Sequence, residues 1–249
     1  MPRLLRKALL MALLVPLLGA PLAPAAAADL AAERAEMVRH VELEALMISG
    51  ETGIAELDPR VLDAMRQVPR DAFVPEELRA YAYRPHPLPV GYEQNLAAPL
   101  LAALMTHLAE VKAGDVAFET GTDVGYQAAL LSDLGAKVYS VEVVEPLADQ
   151  AARTLKELGY EHVFVQAGDG YFGWPERGPF DVMVIKEAID HLPPPLLQQL
   201  KRGGRMVIPL GPAGGPQYLT VVTRDQEGKL SERRIMPVRF SPLQGGERT

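Results

Sequence analysis

The chain is predicted to fold as a doubly wound α/β domain with a mostly parallel sheet, a helical N-terminal extension and a C-terminal antiparallel hairpin. Three observations carry this expectation. From about residue 98, short apolar runs alternate with amphipathic helical patterns in a β-α-β-α rhythm. The runs themselves (DVAFE, KVYSVE, HVFVQ, FDVMVI, RMVIPL) are nearly continuous in apolar residues, as strands covered on both faces are. Near the C-terminus, YLTVVTR and RRIMPVRF flank Asp225-Gln-Glu-Gly228, which reads as a hairpin added to the sheet edge.

Taken in order, the first residues are expected to stand outside the fold. Arg3, Arg6 and Lys7 precede an apolar run from Ala8 to Leu18, too short to span a bilayer. Ala26 and Ala28 then supply the small-x-small pattern before Asp29, so residues 1–28 read as a secretory signal peptide. The mature chain is expected to be exported to the periplasm, with no stable membrane anchor after cleavage. A helix is expected over residues 30–49, with Met37, Val41, Leu43 and Leu46 near helical spacing. Asp58 is a candidate N-cap, with Pro59 at the first helical position, for a helix carrying Val61, Leu62, Met65 and Val68.

Pro75, Pro85, Pro87 and Pro89 then forbid long regular elements, and such a stretch tends to form one wall of a cleft. Residues 29–98 are thus expected to be a helical and Pro-rich segment, and residues 99–249 the sheet domain. In that domain the pattern predicts helices near 99–111, 127–134, 146–158 and 194–201. Strands are predicted at 115–119, up to Glu142, and over HVFVQ, FDVMVI and RMVIPL.

Composition narrows the function. The 249 residues are 48% hydrophobic, enough to fill a core. A formal net charge of -7 with interspersed signs argues against a nucleic-acid partner. The absence of cysteine removes disulfides, thiolate metal sites and cysteine nucleophiles. His40, His86, His107, His162 and His191 are isolated, without metal-binding spacing, so no metal site is expected. Tyr171, Phe172 and Trp174 read as a hydrophobic lid or core rather than a stacking site.

Ligands of doubly wound sheets sit beyond the carboxyl ends of the strands. Three features fall at such ends. The loop ETGTDVGY carries Glu119, Gly121 and Gly125, whose glycines allow close backbone approach. Glu142 ends the second strand, where a carboxylate can accept from both hydroxyls of a ribose. Gly168-Asp169-Gly170 follows the third strand, where an acid between glycines can face an adenine edge. Together they point to an adenosine cofactor, either a dinucleotide or S-adenosylmethionine. The full G-x-G-x-x-G spacing is absent, which disfavours the dinucleotide.

On this frame the chain resembles the protein-L-isoaspartate O-methyltransferases. The resemblance rests on Arg60-Val-Leu-Asp-Ala-Met65, Val68-Pro-Arg70, Phe73-Val-Pro75, Leu88-Pro-Val-Gly-Tyr92 with Gln94, and Gly125-Tyr-Gln-Ala-Ala129. It continues through Val138-Tyr-Ser-Val-Glu142, Gly168-Asp-Gly170, Pro179-Phe-Asp181, Gln199-Leu-Lys201 and Gly203-Gly-Arg-Met-Val-Ile-Pro209. It implies a class I, Rossmann-like methyltransferase sheet that binds S-adenosylmethionine through Glu119, Gly121, Thr122, Asp123, Gly125, Glu142, Gly168, Asp169 and Gly170. It implies a protein or peptide substrate whose isoaspartyl carboxylate attacks the sulfonium methyl. The ester closes to a succinimide that reopens partly to aspartate, a repair needing positioning more than acid–base help.

The substrate wall implied by the resemblance comprises Gln94, Asn95, Ala97, Lys186 and Glu187, and it departs from the family pattern. Asn95-Leu96-Ala97 stands where Thr-Ile-Ser is usual, so Ala97 occupies the serine position and no catalytic residue is assigned. Arg84 and Pro85 occupy the neighbourhood of a usual Asp, and Lys186-Glu187 replaces a small Thr-Ala pair. In the loop, Asp123 replaces a glycine and Val124 a small residue. Asp123 has three open readings: facing the methionine carboxylate of the cofactor, facing its ammonium, or capping the next helix. The preferred expectation from these departures, together with export, is a family member with reduced or lost methyl transfer and a retained binding role. In that case no cofactor is needed. The alternative is an active S-adenosylmethionine-dependent enzyme repairing isoaspartyl residues in envelope proteins.

Overall fold

The computed structural model describes residues 25–212 and 214–245, with side chains from Leu30 onward. The N-terminal segment contains α1 (Ala25–Met47), α2 (Ser49–Thr52), α3 (Pro59–Gln67) and two 3-10 turns at Arg70–Phe73 and Glu76–Tyr81. A small hairpin follows, β1 (Leu88–Gly91) and β2 (Gln94–Leu96). The sheet domain then runs α4 (Pro99–Ala109), β3 (Val116–Thr120), α5 (Tyr126–Asp133), β4 (Lys137–Glu142), α6 (Glu145–Glu157) and β5 (Val163–Ala167). It closes with β6 (Phe180–Val184), α7 (Pro194–Gln199), β7 (Leu200–Leu210), β8 (Gln217–Arg224) and β9 (Leu230–Val238).

Seven strands form one sheet in the order β5-β4-β3-β6-β7-β8-β9. The first five are mutually parallel, and β8 and β9 add antiparallel at the β7 edge, as the sequence pattern predicts. The chain leaves β3 toward β4 on one side and returns to β6 on the other. The order therefore reverses at β3 and β6, and their carboxyl ends open a crevice. Adjacent strand residues sort to opposite faces. Ala117, Val182 and Val207 join a core with Val38, Met65, Leu104 and Leu130, whereas Phe118, Met183 and Ile208 join a second core with Phe180 and Leu196. Burial on both faces explains the unbroken apolar runs of β3, β4 and β6, whereas the edge strand β5 is only partly covered and leaves Phe164 exposed.

Local chemistry accounts for the edges of these elements. The Asp58 carboxylate accepts from the Arg60 amide with Pro59 at the helix start, the expected cap of α3. Helix α1 begins at Ala25, five residues earlier than expected, because the alanine run favours helix. The leader expected over residues 1–28 lies outside the described residues as far as residue 24. Leu43 and Leu46 are exposed rather than facing the core. The buried stripe is Met37, Val38, Val41 and Ala45, whose spacing turns positions 43 and 46 outward. The Pro-rich stretch holds only short elements, and Tyr92 and Glu93 both take positive φ in the two-residue turn between β1 and β2. Strand β7 starts at Leu200, earlier than expected, with a register irregularity against β6 between Phe180 and Val182. Among the described residues, no helix is long and apolar enough to cross a membrane.

Candidate active site

The loop after β3 follows an unusual path. Gly121, Asp123 and Gly125 have φ of 61°, 50° and 97°. Glycine adopts these values freely, whereas Asp123 does so as a residue type that tolerates the left-handed region. A side chain on Gly125 would strike Leu155 of α6, so glycine lets the loop lie flat on that helix. Val124 is fully buried in the first core and serves as packing.

The polar side chains of the loop are tied into one network. Glu119 is fully buried and accepts from the Ser140 hydroxyl at 2.7 Å, and Ser140 lies 2.6 Å from the Thr122 hydroxyl. Lys186, just beyond β6, sets its Nζ 3.0 Å from Glu119 Oε1 and 3.2 Å from Asp123 Oδ2. Burial disfavours the charge on Lys186, but Glu119, Asp123 and Glu187 outweigh it and hold the ammonium above the ordinary lysine range. Burial raises the carboxyls of Glu119 and Asp123, and Lys186 opposes that rise.

Asp123 therefore does not cap α5, which starts without a side-chain cap, and its carboxylate pairs with Lys186 at the edge of the cleft. Its amide donates to Glu142 Oε2 at 2.8 Å, and the Val144 amide donates to Glu142 Oε1 at 2.9 Å. Burial lifts the Glu142 carboxyl, against these two amide bonds.

Glu187 lies over the loop. Its Oε2 accepts from the Thr120 hydroxyl, and a Cβ on Gly121 would fall 2.1 Å from its Oε1. Burial pushes its carboxyl up to about 8, with Asp123 and Glu142 adding to the rise and Thr120 and Lys186 opposing it. At the end of β5, Asp169 Oδ1 accepts from the Tyr171 amide at 2.9 Å, while its Oδ2 is buried without a hydrogen-bond partner. Gly170 is required there because a Cβ would meet Thr120 Cγ2 at 2.7 Å. Gly168 donates its amide to the Glu142 carbonyl, which joins this turn to the end of β4.

A cleft of about 380 Å³ lies beside this network, lined by Gln94, Asn95, Ala97, Asp123, Lys186 and Glu187 together with Arg239, Phe240 and Ser241. The expected substrate wall thus shares one cavity with Asp123 of the expected loop. Arg84 and Pro85 do not: they line a separate cavity with Glu33, Met37 and Tyr83 against α1. Pro85, expected as a change in the substrate wall, lies instead against α1.

Several residues of the site escaped the sequence reading. Arg239–Ser241 reach the cleft because β9 ends at Val238, and only that strand end signals it. Arg70 is fully buried, donates to the carbonyls of Ala82 and Ala97 at 2.8 and 2.7 Å, and stands 4.9 Å from the Tyr126 ring centroid. It couples the wall at Ala97 to the helix after the loop. Trp174 packs edge-on against Tyr139 at 5.4 Å, part of the second core rather than a ligand platform. Among the described residues, no group of three or more His, Cys, Asp or Glu is placed to hold a metal ion.

Comparison with known proteins gives a consistent result. A family model described as protein-L-isoaspartate(D-aspartate) O-methyltransferase matches residues 43–248. The protein-L-isoaspartate O-methyltransferase 2 of Syntrophobacter fumaroxidans is 49% identical over 215 residues, covering 86% of this chain and 87% of that protein. The protein-L-isoaspartate O-methyltransferase 1 of Cupriavidus necator is 47% identical over 229 residues, covering 92% and 88%. A solved protein-L-isoaspartate O-methyltransferase superposes with a TM-score of 0.73 at 25% identity, over 85% of this chain and 66% of that one. A Plasmodium falciparum chain described as such a methyltransferase, in complex with S-adenosyl-L-homocysteine, shares the fold with a TM-score of 0.69 at 21% identity. It is covered to 99%, and this chain to 86%.

These matches overturn the expectation of a retained fold with reduced or lost methyl transfer. Relatives named as methyltransferases share nearly half of all positions over almost the whole chain. The physical ground agrees. Asp123, expected as a loss in the cofactor loop, instead shares with Glu119 the buried ammonium of Lys186, whereas a decaying site would leave such a charge unpaired.

Proposed function

Because this chain belongs to the protein-L-isoaspartate(D-aspartate) O-methyltransferase family, we propose that it methylates isoaspartyl carboxylates in proteins, using S-adenosylmethionine, and thereby repairs envelope proteins. One observation carries the reading: Glu119, Glu142 and Asp169 stand at successive strand ends around the point where the strand order reverses.

The residues present fit the cofactor. Asp169 Oδ2 is a buried acceptor still lacking a donor, which suits an adenine amino group. Glu142 would take the ribose hydroxyls, and residues 120–125 the methionyl end, with Glu187 turning away from Gly121. When bound, S-adenosylmethionine supplies an electrophilic methyl on a cationic sulfur.

The remaining work falls to the chain. An isoaspartyl carboxylate is ionised at neutral pH, so no general base is required. The cleft walls hold it and exclude water, with the amides of Gln94 and Asn95 available to the peptide. Ala97 brings a methyl group and no hydroxyl, so polar orientation rests on those two amides and on backbone groups. Arg70 fixes the Ala97 carbonyl from behind.

Calorimetry with S-adenosylmethionine and its demethylated product, paired with methyl transfer to an isoaspartyl peptide, tests the reading. Low-micromolar binding with transfer is expected; no heat at millimolar ligand and no methyl ester would overturn it. Export rests on the leader pattern of residues 1–28. N-terminal sequencing of protein from envelope fractions should find Asp29 first, and an intact N-terminus confined to the cytoplasm would refute export.

A further inference from the structure

The cleft beside the loop after β3 has to hold an anion, because the group proposed to react there is an isoaspartyl carboxylate. Two cations line it, Lys186 and Arg239. Lys186 is buried and outnumbered by Glu119 and Asp123, so it has no attraction to spare for another anion. Arg239 is exposed, and among the described residues it makes no ion pair and no side-chain hydrogen bond. Ser241 brings the one hydroxyl among the described lining residues, and that hydroxyl has no partner among them either. Gln94 and Asn95 offer only neutral amides, and Ala97 only a methyl group.

The segment carrying Arg239 and Ser241 is fixed before any substrate arrives. Strand β9 ends at Val238, and the chain then runs beside the residues after β6, with Pro242 bridged to Ala188. The Ala188 amide donates to the Ser241 carbonyl, and the Leu243 amide to the Ala188 carbonyl, each at 2.8 Å. The buried Gln217 side chain accepts from the Phe240 amide at 2.7 Å and donates to the Phe240 carbonyl at 3.2 Å. Phe240, between the two residues, is thus held by both of its backbone groups. Because Ala188 directly follows Lys186 and Glu187, these bonds tie Arg239 and Ser241 to the strand end where the order reverses.

Resting on the function proposed above, we propose that Arg239 and Ser241 together hold the isoaspartyl carboxylate of the substrate, Arg239 supplying charge and Ser241 a hydrogen bond. A guanidinium meets a carboxylate through paired N–H donors, and an ionised acceptor makes each bond stronger than a neutral one. The carboxyls lining the cleft do not prevent this. Asp123 is paired with Lys186, and burial pushes Glu187 up to about 8, so Glu187 is mostly protonated at neutral pH. Methylation turns the carboxylate into a neutral ester, so the attraction that draws the substrate in is absent from the product.

The test uses an isoaspartyl peptide and the same peptide with that carboxylate replaced by a carboxamide, which keeps the shape and loses the charge. Both are titrated by calorimetry into the full chain saturated with S-adenosyl-L-homocysteine, so that no transfer occurs. The wild type should prefer the carboxylate on the order of tenfold or more. Arg239→Gln should bring that preference near unity with the donor Kd unchanged, and Arg239→Lys should keep most of it. Ser241→Ala should weaken the isoaspartyl peptide several-fold, and Ser241→Thr should retain its binding. Rising salt should weaken that peptide more in the wild type than in Arg239→Gln. An Arg239→Gln protein that keeps the wild-type preference, a Ser241→Ala protein that binds as the wild type does, or a loss that falls on the donor Kd instead, would overturn the proposal. Methyl transfer by the wild type would still leave the proposed function standing. If the wild type transfers no methyl group, the function falls and this proposal with it.

Discussion

Lys186 Nζ stands 3.2 Å from Asp123 Oδ2, across 63 residues of sequence and from one parallel strand end to its neighbour. Glu119 Oε1 stands 3.0 Å from the same nitrogen. Each of the two buried charges makes the other tolerable.

Replacing Lys186 by Met should therefore be costly. It strands Glu119 and Asp123 as buried carboxyls without a cation, a loss of about 3–5 kcal/mol. Urea denaturation at neutral pH measures it. Adding Asp123→Gly to the variant should return part of the loss, since it removes one stranded acid and frees the backbone at φ 50°. Strict additivity of the two changes would show that the pair is uncoupled.

The raised carboxyl of Glu187 gives stability a pH slope. In the unfolded chain this group ionises near its ordinary value of 4.5, and in the fold near 8. Between these values the folded state holds a proton that the unfolded state has released. This contribution is complete below the unfolded value and is lost as pH rises through the folded one. Melting temperatures of wild type and Glu187→Gln, taken from about pH 5 to about pH 8, should diverge steadily. Parallel curves would mean that the carboxyl is already ionised in the fold.

Gly121→Ala should destabilise for two separable reasons. The backbone there has φ 61°, costing an alanine on the order of 1–2 kcal/mol, and the new Cβ meets Glu187 Oε1. In a Glu187→Ala background the second reason disappears, so thermal denaturation should show a smaller penalty. Equal penalties in both backgrounds would place Glu187 away from the loop in solution.

Arg70→Met leaves the carbonyls of Ala82 and Ala97 without their donor, at about 1–3 kcal/mol for each buried group. Because Ala97 borders the cleft, KM for an isoaspartyl peptide should rise several-fold more than the donor Kd. A rise confined to the donor would contradict the link drawn between Arg70 and the substrate wall.

Much of this was readable from residue order, because it depends on near neighbours. Apolar runs imply strands buried on two faces, Asp58-Pro59 starts a helix, and Asp225–Gly228 turns a hairpin. The placement of Glu119, Glu142 and Asp169 at strand ends follows from the same local patterns. Family membership followed from many short motifs in order. The expectation of lost activity does not hold, because Asp123 and Lys186 take their meaning from a contact that residue order does not show.

Their meaning depends on contact. Local pattern and composition suffice for the elements and their succession, because helix caps, turns and strand burial are decided within a few residues. Whether a carboxylate at position 123 repels a ligand, caps a helix or pairs with an ammonium is settled by which strand lies next to β3. That neighbour is β6, brought there by a crossover of about sixty residues, and electrostatic energies at 3 Å cannot be inferred before the distance exists.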